Sequence, residues 1–222
     1  MIGQFDDVHK KIGKVEVLRN VSLKIREGVT LIVGPNGSGK SSLIKLLVGF
    51  WRPSRGRVIL LGEDPWDNPK VKRVIGVSID PPSLPKYRRG MDLIKILSDI
   101  KGVKVKDELI KRLFPDVSAL KRPIVEYSAG MRKRLSILLA LLGENEVLIL
   151  DEPFSGLDMF GISEVSKVIR ERAEVGVNMI IVSHMWKPIY DLVENIIVLV
   201  GGEVTFAGKK EDGIEFLREL GI

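Results

Sequence analysis

Cysteine is absent from this 222-residue chain, and with it go disulfides, zinc–thiolate sites and any thiol nucleophile. Histidine is nearly absent: His9 and His184 are the only two, too few to build a histidine-based metal centre. Long apolar runs are missing too. The longest, Leu135 to Leu142, is broken by Ser136 and falls far short of the roughly 20 residues a membrane-spanning helix needs. At the amino terminus Asp6 and Asp7 stand where a secretory signal would carry a basic and then an apolar region. These absences predict a chain that stays in the cytoplasm and takes any membrane role through a partner. No internal repeat, low-complexity tract or Pro/Gly/Ser linker divides it into independent domains.

What is present describes an ordinary globular protein, 45% hydrophobic and 29% charged. The length suits one core, or one α/β core with an inserted subdomain. The net charge of +6 is spread among residues of both signs. Lys86-Tyr87-Arg88-Arg89 and Arg132-Lys133-Arg134 are short clusters rather than a stripe, so the charge reads as a solvated surface and no nucleic-acid partner is expected.

Periodicity orders the elements. Val21, Leu23 and Ile25 alternate with polar residues as a half-buried strand, and Val29 to Val33 is a continuous apolar strand. With Arg57 to Leu61 as a further strand, residues 1 to about 65 are expected to form an antiparallel β layer against the site. Val74 to Ile79 reads as a strand that Pro81-Pro82 and Pro85 end. Residues 91–142 turn helical, and Ser128 is placed to cap the segment from Ala129 to Leu142. Val147 to Leu150, Asn178 to Val182, Ile196 to Val200 and Glu203 to Ala207 then read as strands. Helices are expected over Ile162 to Ala173, Lys187 to Val193 and Gly213 to Leu220. Apolar strands alternating with helices imply a mostly parallel sheet covered on both faces. The expected fold class is therefore α/β, with a single domain over 1–222, a core of 1–90 and 143–222, and an inserted helical subdomain of 91–142.

Chemistry concentrates in Gly34-Pro35-Asn36-Gly37-Ser38-Gly39-Lys40-Ser41-Ser42, which follows a buried strand and opens a helix. This is a phosphate loop in its required context. Its glycines let backbone N–H groups turn inward as a nest for phosphate oxygens, Lys40 reaches the β- and γ-phosphates, and Ser41 ligates Mg²⁺. A glycine-rich turn that merely caps a helix is the alternative, and the Lys-Ser register argues against it. Asp151 and Glu152 end the apolar run Val147 to Leu150, where ligands bind in such sheets. Asp151 is the expected Mg²⁺ carboxylate, and Glu152 the group that polarises the attacking water.

The order of motifs resembles the ATP-binding-cassette (ABC) ATPases over essentially the whole chain, most closely the cassettes of export or drug-efflux transporters. Tyr127-Ser128-Ala129-Gly130-Met131 stands where that family has its signature, Ser155-Gly156-Leu157-Asp158 resembles its D-loop, and His184 falls at its switch histidine. The resemblance implies a P-loop NTPase core, ATP and Mg²⁺ as cofactors, and a head-to-tail dimer in which Ser128 and Gly130 of one subunit complete the phosphate site of the other. Asp158 would cross that interface, and His184 would contact the γ-phosphate. It also implies membrane-spanning partner subunits, a second copy of the chain as the dimer partner, and a peripheral place on the cytoplasmic face of the cell membrane. Within the signature Ala129 replaces the usual first glycine and Met131 the glutamine, and two further positions depart from the family. Asp80 stands where a glutamine usually touches Mg²⁺, so it either reaches the metal or caps the Pro81-Pro82 turn. Ile12 stands where an aromatic residue usually stacks on adenine, with Phe5 as a candidate substitute. A soluble single-cassette ATPase of an assembly, translation or repair process is the alternative function. A nucleoside kinase or GTPase sharing only the phosphate loop leaves the other motifs unexplained.

Overall fold

The computed structural model describes residues 1–220; the last two positions of the expected 1–222 domain lie outside the described residues. Two sheets organise the chain. The first is antiparallel in the order β2-β1-β4, from β1 (Gly3–Ile12), β2 (Val15–Ile25) and β4 (Arg55–Leu60). In β2 the outer half alternates Val21, Leu23 and Ile25 inward with Ser22 and Lys24 outward, the pattern of a sheet with one solvated face.

The second sheet has the order β5-β6-β7-β3-β8-β9. Its strands are β3 (Val29–Val33), β5 (Ile75–Ser78), β6 (Val147–Asp151), β7 (Asn178–Val182), β8 (Asn195–Val200) and β9 (Glu203–Lys209). All neighbours pair in parallel except β8 and β9. The sequence grouped β3 with the antiparallel layer, but it lies between β7 and β8 in the parallel sheet. The reason is in its residues: all five are buried, and a strand without an outward polar face needs cover on both sides.

Helix α1 (Lys40–Leu47) follows β3 and packs its Leu43, Ile44 and Leu46 under the antiparallel sheet. The helical block holds α2 (Gly90–Lys101), α3 (Asp107–Leu113) and α4 (Ala129–Ala140). Its Ile94, Leu113, Phe114 and Ile124 share one hydrophobic cluster with Leu148, Leu150 and Met179 of the parallel sheet. Helix α4 lies close on β5: a Cβ added at Gly76 would sit 2.0 Å from the Ala140 carbonyl oxygen. Arg112 on α3 pairs with Glu164 at 3.2 Å and Glu171 at 2.8 Å on α5 (Met159–Glu174). Helix α6 (Lys210–Glu219) closes the described chain.

The expected helix over Lys187 to Val193 is a single 3₁₀ turn, Lys187–Ile189. The segment has no room for more. Leu192 N–H closes back on the Ile189 carbonyl at 3.0 Å, and by Glu194 the backbone already bonds to Val29 at 2.9 Å on the way into β8.

Candidate active site

β3 delivers the chain to the phosphate loop, and two glycines decide its path. Gly34 has φ 149° and Gly39 φ 103°. A Cβ at Gly34 would stand 1.9 Å from the Leu199 carbonyl oxygen, and one at Gly39 would stand 2.8 Å from both the Val17 carbonyl and the Leu18 side chain. Only residues without a side chain allow this close approach. The Ser38 carbonyl accepts from Gly202 N–H at 3.0 Å, which ties the loop to the β8–β9 turn. Lys40 is folded back over the loop, its Nζ donating to the carbonyls of Gly34 at 2.7 Å and Pro35 at 2.9 Å. Burial pushes the Lys40 ammonium pKa down, against the opposing pull of the Glu152 and Asp151 carboxylates. Ser38 Oγ is buried with no hydrogen-bond partner among the described residues.

The carboxylates come from the end of β6. Asp151 is 1% exposed. Burial pushes its carboxyl pKa up; the Ser41 hydroxyl and the Asp80 backbone N–H oppose this, while the charges of Asp80 and Glu152 add to it. Its Oδ2 has no partner among the described residues. Such an orphaned acceptor next to a hydroxyl is a donor set that fits Mg²⁺, a hard ion that takes one or two carboxylates plus substrate phosphates.

Glu152 has φ +47°, an uncommon state for a residue with a side chain that costs about 1–3 kcal/mol. Its N–H donates to the Val182 carbonyl at 2.8 Å. Glu152 Oε2 accepts from Ser183 Oγ at 3.4 Å and His184 N–H at 3.3 Å, and Oε1 is 3.6 Å from His184 Nε2. The strained turn thus brings the acid from β6 and the histidine after β7 to one place.

These residues line a cleft of about 730 Å³, within the ordinary range for small-molecule sites. The fold gathers there Asn36 to Ser42, Asp80, Asp151, Glu152 and His184. Gly34 and Pro35 are not in its lining and act through the backbone that holds Lys40. Ser128, Gly130 and Asp158 also lie outside the lining. Ser128 caps α4, accepting from Met131 N–H at 3.1 Å, and is exposed. Asp158 caps α5 through Gly161 N–H at 2.7 Å and pairs with Arg134 at 2.5 Å; that N–H and then the guanidinium hold its carboxyl pKa down.

Ile12, facing Val15 at the exposed end of the β1–β2 ribbon, lies outside the lining as well. Val17, two residues along the same face as Val15, lines the cleft instead. Phe5 is no substitute for the aromatic residue: it is 1% exposed, packed in the core beneath the antiparallel sheet. Asp80 lines the cleft, but its Oδ1 is 2.5 Å from Lys133 Nζ. The sequence reading missed Val17, Met185 and Lys133. Only Lys133 left a signal, since it shares a helical face with the buried Ser136, Ile137 and Ala140.

The sequence profile of the ABC transporter family matches residues 18–155. The lantibiotic transport ATP-binding protein SrtF of Streptococcus pyogenes is 33% identical over 221 residues, 98% of this chain and 94% of SrtF. YdbJ, an uncharacterized ABC transporter ATP-binding protein of Bacillus subtilis, is 32% identical over 205 residues, 90% of this chain and 66% of YdbJ. Among solved structures, an ATP-binding subunit of an ABC transporter superposes with a TM-score of 0.81 at 23% identity, covering 100% of this chain and 94% of that one. A cassette in a dimeric post-hydrolysis state with ADP and Pi superposes with a TM-score of 0.80 at 23% identity, covering 94% of this chain and 98% of that one. The fold agrees with these solved structures, and the chain belongs to the ABC transporter family as an ATP-binding subunit that hydrolyses ATP.

Proposed function

We propose that two copies of this chain close head to tail around two ATP molecules and drive membrane-spanning partner subunits from the cytoplasmic face of the membrane. The observation that carries the proposal is the incompleteness of the cleft. One chain contributes the phosphate loop, both carboxylates and His184, while its own Ser128 and Gly130 are outside the lining. A helix N-terminus capped only by an exposed serine is suited to anionic oxygens presented by another molecule. Ser128 of the partner subunit then supplies the donors that the γ-phosphoryl charge needs.

Within one cleft, Lys40 leaves the Gly34 and Pro35 carbonyls for the phosphates. Ser41 and Asp151 would hold Mg²⁺, which when bound would neutralise phosphate charge. Glu152 polarises the attacking water, and His184, tethered to Glu152 through its own N–H, reports the γ-phosphate. Asp158 sits at the subunit boundary, and Ile12 with Val17 offers an aliphatic wall to the base. The membrane partner docks beside α4, where Phe50, Val77, Ile79, Leu84 and Leu139 line an apolar groove of about 390 Å³; Ile79 adjoins Asp80 of the cleft. The core of 1–90 and 143–222 and the helical block of 91–142 thus act as one cassette.

Glu152→Gln tests the reading. The variant is expected to bind ATP, to form a dimer in size-exclusion chromatography only when ATP is present, and to lose turnover by more than about a hundredfold. Turnover at the parent rate would remove Glu152 from catalysis, and an ATP-bound monomer would remove the dimer.

A further inference from the structure

Arg132-Lys133-Arg134 has the look of a surface cluster, yet Lys133 is 2% exposed. Its Nζ lies 2.5 Å from Asp80 Oδ1 and 3.2 Å from the Asp151 carbonyl oxygen. Three separate elements meet at this ammonium: α4 just after Ser128 and Gly130, the loop after β5, and the end of β6. The pair is lopsided. Lys133 is sealed in, whereas the Asp80 side chain is 35% exposed and lines the cleft beside Asp151. Among the described residues, Asp80 is the one carboxylate paired with Lys133, and a buried cation that loses its counter-charge is strongly destabilising.

The same geometry governs the metal site. Asp80 and Asp151 line the same cleft, and Lys133 Nζ reaches both residues. Freed from Lys133, Asp80 would offer a further carboxylate to a divalent ion already served by Asp151.

We infer that Lys133 is a positioning residue: it draws Asp80 away from the metal, leaves Asp151 as the metal carboxylate, and couples the cleft wall to the helix that carries Ser128. Asp80 is then a tether and not a Mg²⁺ ligand. Because Lys133 also holds the Asp151 backbone, a shift of α4 is felt at two points of the cleft at once. The inference rests on the reading of Asp151 as the metal ligand.

A double-mutant cycle tests it with Asp80→Asn, Lys133→Met and the two combined. The readouts are thermal unfolding, ATP turnover, and Mn²⁺ affinity in the ATP-bound protein by electron paramagnetic resonance. Lys133→Met is expected to tighten Mn²⁺ about tenfold, because an uncompensated carboxylate then sits near the ion, and to lower kcat more than it changes KM for ATP. Asp80→Asn is expected to weaken Mn²⁺ moderately, because the stranded ammonium then faces the ion without its counter-charge, and to cause the largest loss of thermal stability. The combined variant buries no unpaired charge, so it should recover stability and bind Mn²⁺ like the parent. If Asp80→Asn does not fold, the disappearance of the Mn²⁺ effect between Lys133→Met and the combined variant still decides.

Weakened Mn²⁺ binding in Asp80→Asn with no change in Lys133→Met would make Asp80 a ligand and overturn the inference. Additive stability losses in the combined variant would overturn the coupling. Asp151→Asn serves as the control. If it retains parental Mn²⁺ affinity, the assignment of Asp151 is what has failed, and the stability cycle alone judges the tether.

Discussion

Asp151→Asn exposes a conflict between function and stability in the cleft. Asp151 is 1% exposed, and its Oδ2 has no hydrogen-bond partner among the described residues. Burial raises its pKa, so the folded chain binds this proton more tightly than the unfolded chain does. Below the ordinary carboxylate range both states are protonated and there is no penalty. As pH rises from that range through the raised folded value, the unfolded state gives up its proton first and stability is lost; above it the loss stays constant. Asparagine keeps the shape and the acceptor that faces Ser41 and the Asp80 N–H, and it removes the charge. The amide nitrogen takes the orphaned Oδ2 position, so the gain at neutral pH is that of removing the buried charge, about 1–3 kcal/mol. At this chain length each kcal/mol moves Tm by about 2–4 °C. Without nucleotide, the variant should therefore melt about 2–12 °C above the parent at neutral pH, and the difference should shrink toward zero near pH 4. With Mg²⁺ and ATP at about a hundred times Kd the parent gains about 2.7 kcal/mol, while the variant gains much less, which narrows or reverses the order. Differential scanning fluorimetry across pH, with and without Mg-ATP, reads all of this. A nucleotide-free variant that melts below the parent at neutral pH would refute the reasoning, because it would mean that the buried charge is already satisfied.

Gly34→Ala places a methyl group against the Leu199 backbone oxygen, 1.9 Å away, which cannot yield as a side chain does. A loss of about 1–3 kcal/mol and of fluorescent ATP-analogue binding is expected in melting and titration experiments. Ser128→Ala removes the cap on Met131 N–H and should lower stability by about 1 kcal/mol; in sedimentation it should also weaken ATP-driven dimerisation. Arg112→Ala cuts the link from α3 to Glu164 and Glu171 on α5. Its cost should be about 1 kcal/mol or less because the pair is partly solvated, measurable as a Tm shift with ATP affinity unchanged.

The local chemistry was open to reading because its signals are themselves local. Gly34 to Ser42 sit between an apolar strand and a helix, so loop type and site follow from one stretch of sequence. Val147 to Leu150 ahead of Asp151 and Glu152 places two carboxylates at a strand end for the same reason. Ser128 declares itself as a cap by preceding α4. The errors arose where a residue's role depends on distant partners. Lys187 to Val193 has helical spacing, but the chain must already be entering β8 beside Val29. Phe5 is an aromatic residue near the site in sequence, and the pairing of β1 between β2 and β4 turns it into the core.

Local pattern is enough to make the chain an α/β phosphate-loop protein, to place the loop and to name the residue types that carry the chemistry, since strand and helix periods and loop glycines act over a few positions. The three-dimensional packing is what sets β3 parallel between β7 and β8 and turns Glu152, at positive φ, to meet His184. It also turns Lys133 inward to hold Asp80. These outcomes depend on burial, and burial is settled by segments far apart in the chain packing against one another.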